Sequence, residues 1–195
     1  MLNCEMLLSR LCGVFVKVDV YYPPRGIKDA PILFFVYGGG YVLGSRSLYP
    51  GLVFDNIGAF FAQRGVLTAI ADYRLAPDTT YPGPVKDIRD AIRFILTSPD
   101  VDITGSGADK HRVYILGHSA GGAHVATLFL NEDILTDQDR SFLKGAMMIA
   151  GMYGSASSLK MYYGEPVEDI SKKCPLGLLN SKSTETVGAN GTPTF

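Results

Sequence analysis

The sequence predicts an α/β fold, a doubly wound, mostly parallel sheet, and three observations predict it. Residues 31–37, 66–71, 113–116 and 146–150 are short, continuous apolar runs, the character of strands covered on both faces. Between them, residues 52–64 and 84–97 carry apolar side chains at helical spacing. Residues 117–121 read GHSAG, after an apolar run and before a stretch of small residues, which is the pattern of strand, sharp turn and helix. Strand and helix alternate as crossover connections between parallel strands require.

The elements follow in order. Residues 14–22 alternate apolar and polar for part of their length and end at Pro23-Pro24, which cannot continue a ladder, so an edge-type strand is predicted. The run 31–37 closes on Gly38-Gly39-Gly40. A helix over 52–64 leads to the strand 66–71. The next helix, 84–97, puts Val85, Ile88, Ala91, Ile92 and Ile95 toward the core, with Lys86, Asp87, Arg89 and Arg93 on other faces. The strand ending at Leu116 turns into a helix over 122–129, and 146–150 forms a further strand. Phe129, Phe142, Met147 and Met148 read as core. From Asn180 the periodicity and most large apolar residues are lost, so 180–195 is predicted to be a disordered tail and 1–179 a single domain.

Composition bounds the function. The 195 residues suffice for one core, and 18 Lys+Arg against 19 Asp+Glu leave no field of one sign to draw nucleic acid or an anionic membrane. A small neutral molecule is the expected partner. No apolar stretch approaches the roughly twenty residues that span a bilayer. The first ten residues carry Glu5 where a secretory signal wants basic charge, so no targeting segment is read and a cytoplasmic location is expected. Cys4, Cys12 and Cys174 lack disulfide or metal-ligand spacing and read as free thiols, with no metal site expected.

The chemistry centres on Ser119. A tight turn between strand and helix admits only small flanking residues and lifts the central hydroxyl clear of the sheet, which makes Ser119 the candidate nucleophile. Glycines at a strand end let backbone N–H groups approach an incoming oxygen closely, so Gly38, Gly39 and Gly40, with the N–H of Ala120, form the candidate oxyanion hole. The spacing Gly38, Gly40, Gly44 imitates a dinucleotide fingerprint, but residues 45–51 delay any helix that would receive a pyrophosphate, and no cofactor is expected. Tyr41, Val42 and Leu43 beside the hole read as a modest apolar acyl site.

Residues 72–77 read DYRLAP, followed by Tyr81-Pro82. With the glycine run and the elbow, they make the chain resemble, over about residues 14–155, the hormone-sensitive-lipase-like branch of the α/β hydrolases. Members of that branch carry an HGGG loop, a DYRLAP segment and a G-x-S-A-G-G elbow. The resemblance implies a carboxylesterase that works through an acyl-enzyme on Ser119, with Gly38, Gly39 and Gly40 as oxyanion donors and the Asp72–Arg74 region as scaffold for the loop. The elbow also looks like that of kynurenine formamidases, which keeps amide or formamide hydrolysis as an alternative, beside a non-catalytic ligand-binding reading.

Two departures from that family stand out. Tyr37 occupies the place of the HGGG histidine. The family's triad acid and histidine follow the nucleophile, whereas this chain has no histidine after His124. About seven residues at roughly 3.3 Å each put His111 near the opposite end of the sheet. His118 reads as a packing and hydrogen-bonding residue, and His124 as a satisfied, partly buried one. Glu165, Glu168 and Asp169 read as a solvated face, and Cys174 as non-catalytic. The expectation is a hydrolase truncated on its C-terminal side, weak or inactive in this form, and prone to self-association through an uncovered sheet edge.

Overall fold

The computed structural model describes residues 4–11, 14–47, 53–164 and 167–190. Among them a six-stranded sheet has the order β1-β2-β4-β3-β5-β6, formed by β1 (Cys4–Leu11), β2 (Val14–Tyr21), β3 (Ala30–Val36), β4 (Leu67–Ala71), β5 (Ala108–His118) and β6 (Leu143–Ile149). From β4 to β6 neighbouring strands run parallel, while β1 and β2 are antiparallel to each other and β2 is antiparallel to β4. The helices are α1 (Phe54–Ala62), α2 (Gly83–Thr97), α3 (Ala120–Leu130), α4 (Asp137–Phe142), α5 (Lys160–Tyr163), α6 (Val167–Lys173) and α7 (Pro175–Asn190). No helix among the described residues is long and apolar enough to cross a membrane.

The centre of the sheet is the expected one. Every residue of β4 is buried, as is all of β3 but Pro31, because strands with helices on both faces have no wet side. Helix α2 buries Val85, Ile88, Ala91, Ile92 and Ile95 as its spacing demands. Each large aliphatic side chain withdrawn in this way contributes about 1.5–3 kcal/mol of transfer free energy. Asp87 departs from the expectation. It is fully buried, and Arg74 neutralises it through Nε and Nη2 at 2.8 and 2.7 Å, with the Arg74 amide adding a third bond at 3.0 Å.

Three further expectations are corrected. Strand β2 is interior, not an edge, because residues 4–11 supply an outer strand and Pro23-Pro24 lie beyond its last paired residue. Met147 and Met148 are 50% and 44% exposed, while Phe129 and Phe142 do pack against the core. The cause is that β6 ends the sheet, with β5 on one side and no described strand on the other. The backbone is helical through Asn190, across the first part of the segment predicted to be a disordered tail. That helix is held at its start, where the Leu176 amide donates to the Tyr153 carbonyl (2.9 Å) beside the buried Cys174. Cys174 is a free thiol. Cys12, the side chain of Cys4 and residues 191–195 lie outside the described residues.

Candidate active site

Ser119 sits between the last residue of β5 and the first of α3, with φ 55° and ψ −123°. L-residues rarely adopt that region, and surrounding structure must enforce it. Here the enforcement is close packing of backbone. A Cβ on Gly121 would lie 2.1 Å from the Val36 carbonyl oxygen, and one on Gly117 2.5 Å from that of Gly121. The Ser119 amide donates to the Ile149 carbonyl at 2.8 Å, tying the elbow to the end of β6. Ser119 is partly exposed.

The structure brings the glycine run against this serine. A Cβ on Gly38 would lie 2.8 Å from Ser119 Cβ and 3.4 Å from its Oγ, so only glycine permits the approach. Gly39 has φ 152°, and its carbonyl accepts from the amides of Val42 (3.2 Å) and Leu43 (2.9 Å) in a tight turn. The Gly39 and Gly40 N–H groups donate to no acceptor among the described residues, and Ala120, first in α3, has no intrahelical acceptor.

What holds the run in place was only partly legible in the sequence. Tyr37 is buried, stacked between Tyr73 (4.6 Å) and Phe54 (5.4 Å), and its hydroxyl donates to Asp72 Oδ1 at 3.4 Å. Burial, and then the neighbouring Asp72 carboxylate, push the Tyr37 phenol well above its ordinary range, so it stays a neutral donor. The Tyr73 hydroxyl donates to the Tyr37 carbonyl at 2.8 Å, and the Ala76 amide to the Tyr41 carbonyl at 2.9 Å. The DYRLAP segment thus grips the loop at both ends. The unforeseen member is Arg46. Its backbone amide and Nη1 donate to Asp72 at 2.6 and 3.1 Å, while Nε pairs with Asp19 of β2 at 2.9 Å. Burial raises the Asp19 pKa and the Arg46 guanidinium opposes that rise. A single arginine in a loop has no spacing signature, and only the prospect of an unpaired Asp72 carboxylate points to it.

None of the histidines is hydrogen-bonded to Ser119. His111 is exposed on β5 and stacks on Phe142 at 6.0 Å. His118 is exposed, where packing was expected. His124 is fully buried, where partial burial was expected, because α3 is covered by the segment that follows β6. Its Nδ1 lies 3.2 Å from the Tyr162 hydroxyl, and the rings of Tyr41, Tyr73 and Tyr162 meet it edge-on. Burial pulls its pKa down to about 3, so it is neutral at physiological pH. Its Nε2 and the Tyr41 hydroxyl have no hydrogen-bond partner among the described residues.

Tyr41 therefore does not line an acyl site. It turns inward, stacks on Tyr162 at 4.4 Å and is 4% exposed, leaving Val42 and Leu43 at the surface with 38% and 70% exposure. Asp169 is partly exposed, whereas Glu165 and the side chain of Glu168 lie outside the described residues. A cleft of about 310 Å³ between α2 and α4 opens beside Leu143, at the start of β6 and so at the opposite end of the strands from Ser119.

A six-stranded sheet in this order, with a strained serine at the carboxyl end of β5 and a glycine run after β3, is the frame of an α/β hydrolase of the hormone-sensitive-lipase and carboxylesterase-like kind. The profile of the BD-FAE family matches residues 18–186, and the chain belongs to that family. It is 30% identical over 148 residues to the isoprenylcysteine alpha-carbonyl methylesterase ICME of Arabidopsis thaliana, covering 76% of this chain and 30% of that protein. A kynurenine formamidase of Danio rerio is 26% identical over 152 residues, 78% of this chain and 47% of that one. Among solved structures, an esterase from Pyrobaculum calidifontis shares the fold with a TM-score of 0.69, at 23% identity, over 88% of this chain and 60% of that chain. The chain spans between 24% and 31% of the length of the plant methylesterases it matches.

Proposed function

We propose that this chain carries the nucleophile and oxyanion hole of a carboxylic ester hydrolase acting on a small ester through an acyl-enzyme. Ser119 Oγ attacks the acyl carbon. The carbonyl oxygen becomes an oxyanion that accepts from the N–H groups of Gly39, Gly40 and Ala120, and bare Gly38 clears the approach. Collapse of the tetrahedral intermediate expels the alcohol, and water then releases the acid. The observation that carries this reading is the packing of Gly38 against a serine held at positive φ, at the start of a loop whose Gly39 and Gly40 N–H groups have no acceptor among the described residues. The esterase and methylesterase relatives support it. Val42 and Leu43 offer an apolar rim for a short acyl group.

The proton leaving Ser119 needs a base, and the buried, neutral His124 is not placed to take it. Among the described residues no side chain is hydrogen-bonded to the Ser119 hydroxyl to serve as that base. A hydrolase lacking its base keeps on the order of 10³–10⁴ over water from the oxyanion hole and binding, after losing about 10⁶ in turnover. Hydrolysis of a short-chain nitrophenyl ester by the purified chain is therefore expected to be slow, and imidazole added as an external base is expected to accelerate it in the wild type more than in Ser119→Ala. An equal response of the two proteins to imidazole contradicts the reading. The formamidase relative supports a second one, in which an N-formyl arylamide replaces the ester. Ser119-dependent turnover of the formamide and not of the ester selects it.

A further inference from the structure

Tyr41 puts a bulky side chain where the backbone favours none. In the turn Gly39–Val42 the two central residues, Gly40 and Tyr41, have φ 60° and 71°, and the Val42 amide closes the turn on the Gly39 carbonyl at 3.2 Å. Positive φ at both central positions marks the mirror-image turns that glycine, asparagine and aspartate dominate. A tyrosine there is strained, and it persists only where its surroundings hold it.

The ring supplies the hold. It is buried, stacks on Tyr162 of α5 at 4.4 Å and meets His124 of α3 edge-on at 5.2 Å. Tyr162 is itself anchored, since its hydroxyl lies 3.2 Å from His124 Nδ1 and its carbonyl accepts from the Tyr81 amide at 2.8 Å. His124 in turn meets Tyr73, which stacks on Tyr37 at the other end of the glycine run. The Tyr41 hydroxyl has no partner among the described residues, so the ring and not the phenol oxygen makes the attachment.

This attachment fixes one peptide plane. The Gly39 carbonyl accepts from the Val42 and Leu43 amides, and because the peptide unit is planar and trans, the Gly40 N–H on the same unit is aimed the opposite way. Relaxation of Tyr41 to negative φ would open the turn, break both bonds and free that plane to rotate. We propose, resting on the acyl-transfer reading above, that Tyr41 is a positioning residue for the oxyanion hole. Its ring, clasped by Tyr162 and His124, holds the turn that aims the Gly40 N–H at the developing oxyanion. Helix α5 thereby supports the donor loop through Tyr162.

Imidazole-dependent acylation of Ser119 by a nitrophenyl ester tests this, followed well below the melting temperature and over a range of ester concentrations. Loss of one oxyanion donor costs about 10²–10³ in rate. Tyr41→Ala keeps the strain and loses the ring, so its maximal acylation rate is expected to fall by up to about that factor. The half-saturating ester concentration is expected to stay the same, because the donor acts in the transition state. Tyr41→Phe keeps the ring and is expected to restore the rate. Tyr41→Gly lacks the ring but adopts positive φ without strain, so it is expected to fall between Ala and Phe. Tyr162→Leu keeps apolar bulk and removes the stacking face, and is expected to slow acylation even where a Tyr41 variant fails to fold. A role confined to stability lowers the melting temperature and leaves the rate of the folded protein unchanged. Variants that acylate at the wild-type rate, or a Tyr41→Gly no faster than Tyr41→Ala, overturn the positioning role and leave the hydrolase reading standing. No acylation of Ser119 in the wild type overturns both.

Discussion

Four non-glycine residues among those described have positive φ: Asp29, Tyr41, Ser119 and Ala150. Three of them follow the carboxyl ends of neighbouring parallel strands, Tyr41 after β3, Ser119 after β5 and Ala150 after β6. Such conformations cost of order 1–3 kcal/mol each and gather at functional sites, and the carboxyl edge of a parallel sheet is where ligands of open α/β folds bind. Behind Ser119, His124 makes a separate prediction. It is held neutral with a folded pKa of about 3 against an ordinary value of 6.5, so between those values the unfolded chain takes up a proton that the folded one refuses. The stability it contributes is complete above pH 6.5 and falls as pH drops through the window toward 3. Urea titrations are expected to show about 2 kcal/mol lost between pH 8 and pH 5, and His124→Gln to flatten that slope whatever it does to stability at pH 8. An unchanged slope contradicts the assignment.

At the scale of elements, the loop after β3 is a clamp closed by charge. Arg46 joins β2, through Asp19, to the end of β4, through Asp72. Removing it leaves the Asp19 side chain, 8% exposed, without the ion pair that compensates its burial. Arg46→Ala is expected to cost about 3 kcal/mol in denaturant unfolding. Arg46→Lys is expected to recover only part of it, because one ammonium cannot present a fork to two carboxylates. Full recovery with lysine contradicts the bridging role. The sequence made the strands and helices around this loop legible because β3, β4 and α2 bury continuous or periodic apolar faces. It made the strained turn at Ser119 legible because such an elbow tolerates few residue types, and the close approach of Gly38 legible because only glycine permits it. It hid Arg46 and the pairing of Arg74 with Asp87, since a long-range ion pair leaves no local period. It misled at Met147 and Met148, because apolar character alone does not tell whether a strand has a neighbour. It misled at Tyr41 too, whose positive φ sends the ring inward while Val42 and Leu43 stay out.

At the scale of the whole molecule, the elbow and the outer strand are one structure. His118 pairs with Ile149, and the Ile149 carbonyl receives the Ser119 amide, so the candidate nucleophile is tied to the last strand among the described residues. The chain belongs to the BD-FAE family and shares its fold with an esterase from Pyrobaculum calidifontis, so the serine and the glycine run stand on an α/β-hydrolase frame. The proposed step is acylation of Ser119 with the glycine run stabilising the oxyanion. It is tested most directly by incubating the chain with a nitrophenyl ester, with imidazole added as an external base, and locating the acyl group by peptide mass spectrometry. An imidazole-dependent acyl adduct is expected on the peptide containing Ser119. None is expected on that peptide in Ser119→Ala, and a strongly reduced yield in Gly39→Ala, whose new Cβ would fall 1.8 Å from the Leu43 carbonyl oxygen. Acylation spread over surface lysines with none at Ser119, or an adduct indifferent to Gly39→Ala, would contradict it.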